Sequence, residues 1–154
     1  TESLNDALAQ ALNPREGKGL KPGDRVMQLR NDYDKDVFNG DTGVVTEALP
    51  QGVFRVRFED GRELDYPAAD RSDLAPAWAI TIHKSQGSEY PAVVIPMLRQ
   101  HHRMLQRNLL YTALTRGERL VVLVGDPEAI EQAVSNDRAE RRHTALAGRL
   151  RDGG

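Results

Sequence analysis

Asn108-Leu-Leu-Tyr-Thr-Ala-Leu-Thr-Arg116, followed at once by Gly117-Glu-Arg-Leu120-Val-Val-Leu-Val124, is the stretch that decides the fold. The first part reads as a helix. The second is a near-continuous run of branched apolar residues, the texture of a strand buried on both faces of a parallel sheet. A similar run, Ala92 to Pro96 with Val93-Val-Ile95 at its centre, lies upstream, and Ala77 to Ile82 reads as a further apolar strand. Downstream, Asp126-Pro127-Glu128 caps and opens a helix that should turn Ile130, Ala133 and Val134 inward. From Ala77 onward the order is therefore strand, turn, strand, helix, strand, helix, which predicts an α/β domain built on a parallel sheet.

Working outward toward the start, Ser3 is placed to cap a helix whose Leu4, Ala7, Leu8, Ala11 and Leu12 recur at helical spacing, with Asn13-Pro14 as its stop. A glycine-rich basic loop, Arg15 to Gly23, and a short strand, Arg25 to Arg30, come next. Asn31 to Asp41 is polar and turn-rich and reads as a linker. Between Thr42 and Leu74 the texture changes to short strands: Gly43 to Thr46, Val53 to Phe58 and Arg62 to Tyr66. Phe54, Val56 and Phe58 alternate with Arg55 and Arg57, and Asp60-Gly61 is a strong hairpin turn. The reading is a small β-barrel inserted at 42–74, dividing a main domain into 1–41 and 75–137, with a basic helical tail at 138–154.

At 154 residues the chain has room for one good core, or a core and a small satellite. The net charge of −2 divides into about −5 over residues 1–74 and about +3 over 75–154, too little for a nucleic-acid signature by itself. There is no cysteine, which excludes disulfides and thiolate metal sites. No apolar stretch approaches the roughly 20 residues of a membrane-spanning helix. The chain begins at Thr1 within a helix pattern, and the expectation is a piece of a longer polypeptide in the cytoplasm.

Two polar segments carry the chemistry. An arginine at the end of a helix, as Arg116 is, more often serves as a C-terminal cap favoured by the macrodipole. In phosphoryl transfer, however, a guanidinium supplied from a neighbouring domain stabilises charge developing on the γ-phosphate. The second segment, Thr81-Ile-His-Lys-Ser-Gln-Gly-Ser-Glu89, concentrates hydroxyl, imidazole, amide and carboxylate groups after an expected strand, where open α/β sheets place ligands. Gly87 would let backbone approach a phosphate and Glu89 could hold a ribose hydroxyl. Taken singly, each residue is as well explained by an ordinary polar turn.

Their joint occurrence, in order, is more specific. Thr81 to Tyr90 resembles motif V of superfamily-one helicases, and Leu110-Tyr-Thr-Ala-Leu-Thr-Arg116 resembles motif VI. Leu4 to Pro14, Gly23-Asp-Arg-Val-Met-Gln28 and Asn39-Gly-Asp41 narrow the likeness to the C-terminal part of RecD-like helicases, the branch that includes the alpha subunit of exodeoxyribonuclease V and the helicase domains of conjugative relaxases. The resemblance runs from about Leu4 to about Asp126.

It implies a second RecA-like (P-loop NTPase-type) motor domain with an SH3-like insertion, part of an ATP-dependent 5′–3′ DNA helicase of repair and recombination. Arg116 would be the catalytic arginine finger. Gln86, Gly87 and Glu89 would join it at ATP, while Thr81, His83 and Ser85 would meet single-stranded DNA. The implied partners are single-stranded DNA, an N-terminal RecA-like domain of the same polypeptide and, in some members, a nuclease complex. ATP and Mg2+ would be held mainly by that N-terminal domain, because no G-x-x-x-x-G-K-S/T sequence occurs here. The fragment alone is expected to be inactive.

No metal site is expected: Asp32-Tyr-Asp34-Lys-Asp36 lacks the glycine and closing glutamate of a calcium loop, and His101-His102 lacks a third ligand. Trp78 and the phenylalanines of the insertion read as core, so any grip on DNA should be electrostatic and backbone-directed. Two rivals remain: a non-enzymatic DNA-binding or protein-interaction module that keeps the RecA-like fold, and the helicase part of a conjugative relaxase.

Overall fold

The computed structural model describes residues 1–14 and 19–137; the expected tail at 138–154 and part of the Arg15 to Gly23 loop lie outside them. The chain forms two compact units, Thr1–Ser85 and Gln86–Gly154.

The first unit contains helix α1 (Glu2–Leu12) and strands β1 (Arg25–Gln28), β2 (Thr42–Leu49), β3 (Val53–Phe58), β4 (Glu63–Tyr66) and β5 (Leu74–Pro76). The strands make one antiparallel sheet in the order β4-β3-β2-β1-β5. The strand set thus runs from Arg25 to Pro76, wider than the expected 42–74 insertion. β1 and β5 belong to the sheet because Val26 pairs with Gly43 on one side and with Pro76 on the other. The stretch Asn31 to Asp41, expected as a linker, is the hairpin connection between β1 and β2. Its ends close through paired Asp32 and Val37 backbones, at 2.8 and 3.0 Å.

The alternation in β3 works as its sequence requires. Val56 and Phe58 are buried with Val26, Val37, Val45, Tyr66 and Leu74, and Phe54 packs against this core. On the other face Arg55 bridges Asp65 at 2.8 Å and Glu47 at 3.2 Å. Gly43 is required where β2 crosses β3: a Cβ there would lie 2.7 Å from the Arg57 carbonyl oxygen and 2.9 Å from Val56 Cγ1. At the centre, the buried Tyr66 hydroxyl donates to Gln28 Oε1 at 2.9 Å, and Gln28 Nε2 donates to the Arg30 carbonyl. Burial pushes the Tyr66 phenol well above its ordinary pKa, so it stays a donor.

Two expectations in this unit are corrected. Thr1, not Ser3, occupies the N-cap position of α1, and the apolar stripe is largely exposed, Leu4 and Leu12 included. α1 is attached through its C-cap Asn13, which donates to Asp24 Oδ1 at 2.8 Å, and through the buried Asn5, whose amide donates to the Ala79 carbonyl at 2.7 Å and accepts from the Ala79 N–H at 2.8 Å. That exchange also explains why Ala77 to Ile82 is not a strand: the backbone groups of Ala79 are satisfied by a side chain instead of a neighbouring strand.

The second unit holds the parallel pair β6 (Tyr90–Met97) and β7 (Gly117–Gly125), joined through a 3₁₀ turn and helix α2 (Arg107–Leu114), then helix α3 (Pro127–Ser135). Ile95, Met97, Leu105, Leu110, Ala113, Ala129 and Ala133 are buried. Ala129 and Ala133 are the buried residues of α3, while Val134, expected inward, is exposed. The in-register residues Ala92 and Leu120, Val94 and Val122, and Pro96 and Val124 form an exposed apolar face, so among the described residues one face of the pair is covered.

Removing the Tyr66 hydroxyl should leave Gln28 Oε1 buried without its donor. Tyr66→Phe is therefore expected to lower unfolding stability by about 1–3 kcal/mol in urea titration, and an unchanged midpoint would contradict the buried pair. The carboxyls of Asp32, Asp60 and Asp65 are held below their usual range, by the Lys35 backbone N–H, by the Arg62 side chain and by the Arg55 side chain respectively. A depressed folded-state pKa stabilises above the unfolded value and that contribution is lost as pH falls through the folded one. Melting temperature should accordingly decline as pH drops through and below the ordinary carboxylate range, by a modest amount because the pairs are solvent-exposed.

Candidate functional site

Arg116 follows the end of α2, one residue beyond the C-cap Thr115 and just before β7 begins at Gly117. Its position is fixed at both ends. The backbone carbonyl accepts from the Tyr90 N–H at 2.8 Å, at the first residue of β6, and its own N–H donates to the Ala113 carbonyl at 3.2 Å. The guanidinium donates through Nη1 to the Ser88 carbonyl at 2.9 Å, through Nε to the Thr112 carbonyl at 3.2 Å and through Nη2 to the Thr115 hydroxyl at 3.2 Å. Thr115 Oγ1 in turn donates to the Thr112 carbonyl at 3.0 Å.

All three acceptors are neutral, and among the described residues Arg116 has no acidic partner. Of the five N–H groups of a guanidinium, two remain for another acceptor. A half-buried, oriented and unneutralised cation is a site for an anion.

The turn between residues 81 and 89 spans the boundary of the two units. Its first half closes on itself: the Ser85 N–H donates to the Thr81 carbonyl at 3.1 Å, the Lys84 N–H to the Thr81 hydroxyl at 3.3 Å, and the Ser85 hydroxyl to the Ile82 carbonyl at 2.8 Å. Ser85 is buried by this arrangement and holds the turn, whereas Thr81, His83 and Lys84 are exposed on it. The second half, Gln86, Gly87 and Glu89, is exposed. Gly87 has φ of +88° and nothing within 4 Å of where a Cβ would stand, so its backbone is open to approach.

Within the second unit the structure therefore brings Arg116 against the Ser88 to Tyr90 backbone, the end of the turn that carries Glu89. Sequence reading missed the holders of the arginine, Ser88, Thr112 and Thr115, because two of them act through main-chain carbonyls that no side-chain pattern reveals. It also placed the turn after a strand, but no strand leads into Thr81. Among the described residues no His, Asp or Glu cluster could hold a metal ion, and no helix is long and apolar enough to cross a membrane.

Two family models match the chain: the ATP-dependent RecD-like DNA helicase SH3 domain over residues 4–58, and the UvrD-like helicase C-terminal domain over residues 76–124. The chain is similar to the RecD-like DNA helicases. The ATP-dependent RecD2 DNA helicase of Deinococcus radiodurans is 37% identical over 156 residues, covering 97% of this chain and 21% of that protein. The RecBCD enzyme subunit RecD of Mycobacterium tuberculosis is 39% identical over 129 residues, covering 84% of this chain and 22% of that subunit. The chain thus spans about a fifth of the length of these relatives. Among solved structures, the Pif1 helicase from Bacteroides in complex with ADP-AlF3 and ssDNA is similar, with a TM-score of 0.65 and 25% identity over 98% of this chain and 43% of that one. The fold of this RecD-like chain is accordingly that of a RecA-like motor domain with an SH3-like module.

Since space around Gly87 is open, only the backbone conformation opposes a side chain there. Gly87→Ala should lower the melting midpoint by an amount equivalent to about 1–2 kcal/mol, and Gly87→Asn, which tolerates positive φ better, should cost less. Equal midpoints for both variants and the parent would contradict the assigned conformation.

Proposed function

We propose that this chain is the C-terminal motor portion of an ATP-dependent DNA helicase that moves 5′ to 3′ on single-stranded DNA in the cytoplasm. The observation that supports it most is the guanidinium of Arg116, oriented by three neutral oxygens and, among the described residues, left without a counter-charge. In this reading Arg116 is the finger that reaches the γ-phosphate of ATP held mainly by a first RecA-like domain, outside this chain. Gln86, Gly87 and Glu89 border the same nucleotide, with Glu89 at the ribose. Thr81 and His83 meet the backbone of the DNA strand, and Ser85 keeps their turn in shape.

Mg2+ belongs with the first domain too, since the described residues offer no acidic cluster for it. The charge of a γ-phosphate would draw the guanidinium from neutral acceptors, because charge-assisted hydrogen bonds are roughly twice as strong as neutral ones. ATP thereby favours the arrangement in which Arg116 engages it, and hydrolysis removes that preference. Because the Arg116 guanidinium donates to the Ser88 carbonyl, its displacement would release the residue that precedes Glu89.

In the complete polypeptide, Arg116→Ala should keep single-stranded DNA affinity within about twofold and lower DNA-stimulated ATP turnover by about 10³- to 10⁵-fold. Arg116→Lys should recover little, since a point charge does not reproduce the guanidinium fork. Turnover equal to that of the parent would refute the finger. Absence of ATP hydrolysis in the parent itself, with DNA binding intact, would favour a passive binding module.

A further inference from the structure

The hairpin connection between β1 and β2 displays two aromatic rings to solvent. Tyr33 is 77% exposed and Phe38 40%, and their rings meet edge to face with centroids 6.0 Å apart. Their loop is cross-linked by its own hydrogen bonds. Asp32 Oδ1 accepts the N–H groups of Asp34 and Lys35, both at 3.1 Å. Asp41 Oδ2 accepts the Phe38 N–H at 2.9 Å, and Asn31 accepts from the Asn39 N–H at 2.9 Å while its amide donates to the Tyr33 hydroxyl at 3.3 Å. Val37 is fully buried beneath, and the Lys35 ammonium is tied to Asp70 at 2.6 Å over the Tyr66 ring. Two rings held outside the core by so many local bonds are preorganised for a flat apolar ligand.

The neighbourhood says which one. A Cβ on Gly40, two residues after Phe38, would lie 4.0 Å from the Lys84 carbonyl oxygen, so this loop borders the Thr81 to Ser85 turn. Exposed Lys84 and His83 on that turn supply donors suited to phosphate. The aromatic loop instead carries carboxylates: Asp32 is bonded to Lys35, Asp36 is paired with Arg62, and Asp34 is exposed. Phosphate is repelled there, while an uncharged base is not.

We propose that Tyr33 and Phe38 form a stacking platform for the bases of single-stranded DNA, extending the strand path from the Thr81 to Ser85 turn. The inference rests on the reading of that turn as a DNA contact. It departs from the expectation of a purely electrostatic grip, because stacking on aromatic faces contributes in a sequence-tolerant way.

The test uses the complete polypeptide with two fluorescein-labelled probes, an oligothymidylate and an oligomer of the same length made of abasic sites. Tyr33→Ala and Phe38→Ala should each weaken oligothymidylate binding by about five- to a hundredfold and leave binding of the abasic oligomer unchanged, while Tyr33→Phe retains parental affinity. Circular dichroism melts establish that the variants are folded. Parental affinity in both alanine variants, with the parent binding oligothymidylate, would overturn the platform and leave the DNA reading of the turn standing. Equal losses on both probes would also overturn it, by assigning the rings a structural role. A parent that binds neither probe would remove the DNA reading itself.

Discussion

The positive charge of Arg116 is the constraint around which the second unit is arranged. A guanidinium half-buried beside three neutral oxygens is held in direction and, among the described residues, is not neutralised, and each holder belongs to a different piece of the local structure. Thr112 lies in the last turn of α2, Thr115 is its cap, and Ser88 precedes β6. The parallel pairing of β6 with β7 sets Tyr90 opposite Gly117, which brings the segment after Gly87 next to the residue that ends motif VI. The pairing register of two apolar strands thus determines which turn the arginine touches.

The SH3-like unit obeys different physics. Its order comes from a small antiparallel core and a buried tyrosine–glutamine bond. Such a module spares its loops for contacts, and the β1–β2 connection, whose Gly40 borders Lys84, displays Tyr33 and Phe38 to solvent. That turn belongs to this unit as far as Ser85, and its remainder to the other. One continuous stretch of nine residues therefore carries both groups assigned to DNA and groups assigned to nucleotide.

Much of this was legible in the sequence where a pattern is local. The alternation of Phe54, Val56 and Phe58 with two arginines, the Asp60-Gly61 turn and the apolar runs at Val93 and Leu120 each encode their own element. What failed depended on distant partners. Ala77 to Ile82 has the composition of a strand, but Asn5, 74 residues from Ala79, takes its backbone groups. The leucines of α1 have helical spacing, yet Leu4 and Leu12 are exposed and the amides of Asn5 and Asn13 make the attachment. Strand runs that read as buried on both faces are, among the described residues, covered on one, since hydrophobicity alone does not say which neighbour lies across. At the site, the type and place of Arg116 were readable from its motif, whereas its carbonyl holders were not.

The most direct test is a crystal structure of the complete polypeptide with ADP-aluminium fluoride and an oligothymidylate bound. The account predicts that the Arg116 guanidinium leaves the Ser88 carbonyl and donates to the fluoride that stands in for the transferring phosphoryl group. A guanidinium still bonded to Ser88, with the fluoride served by other residues, would contradict it.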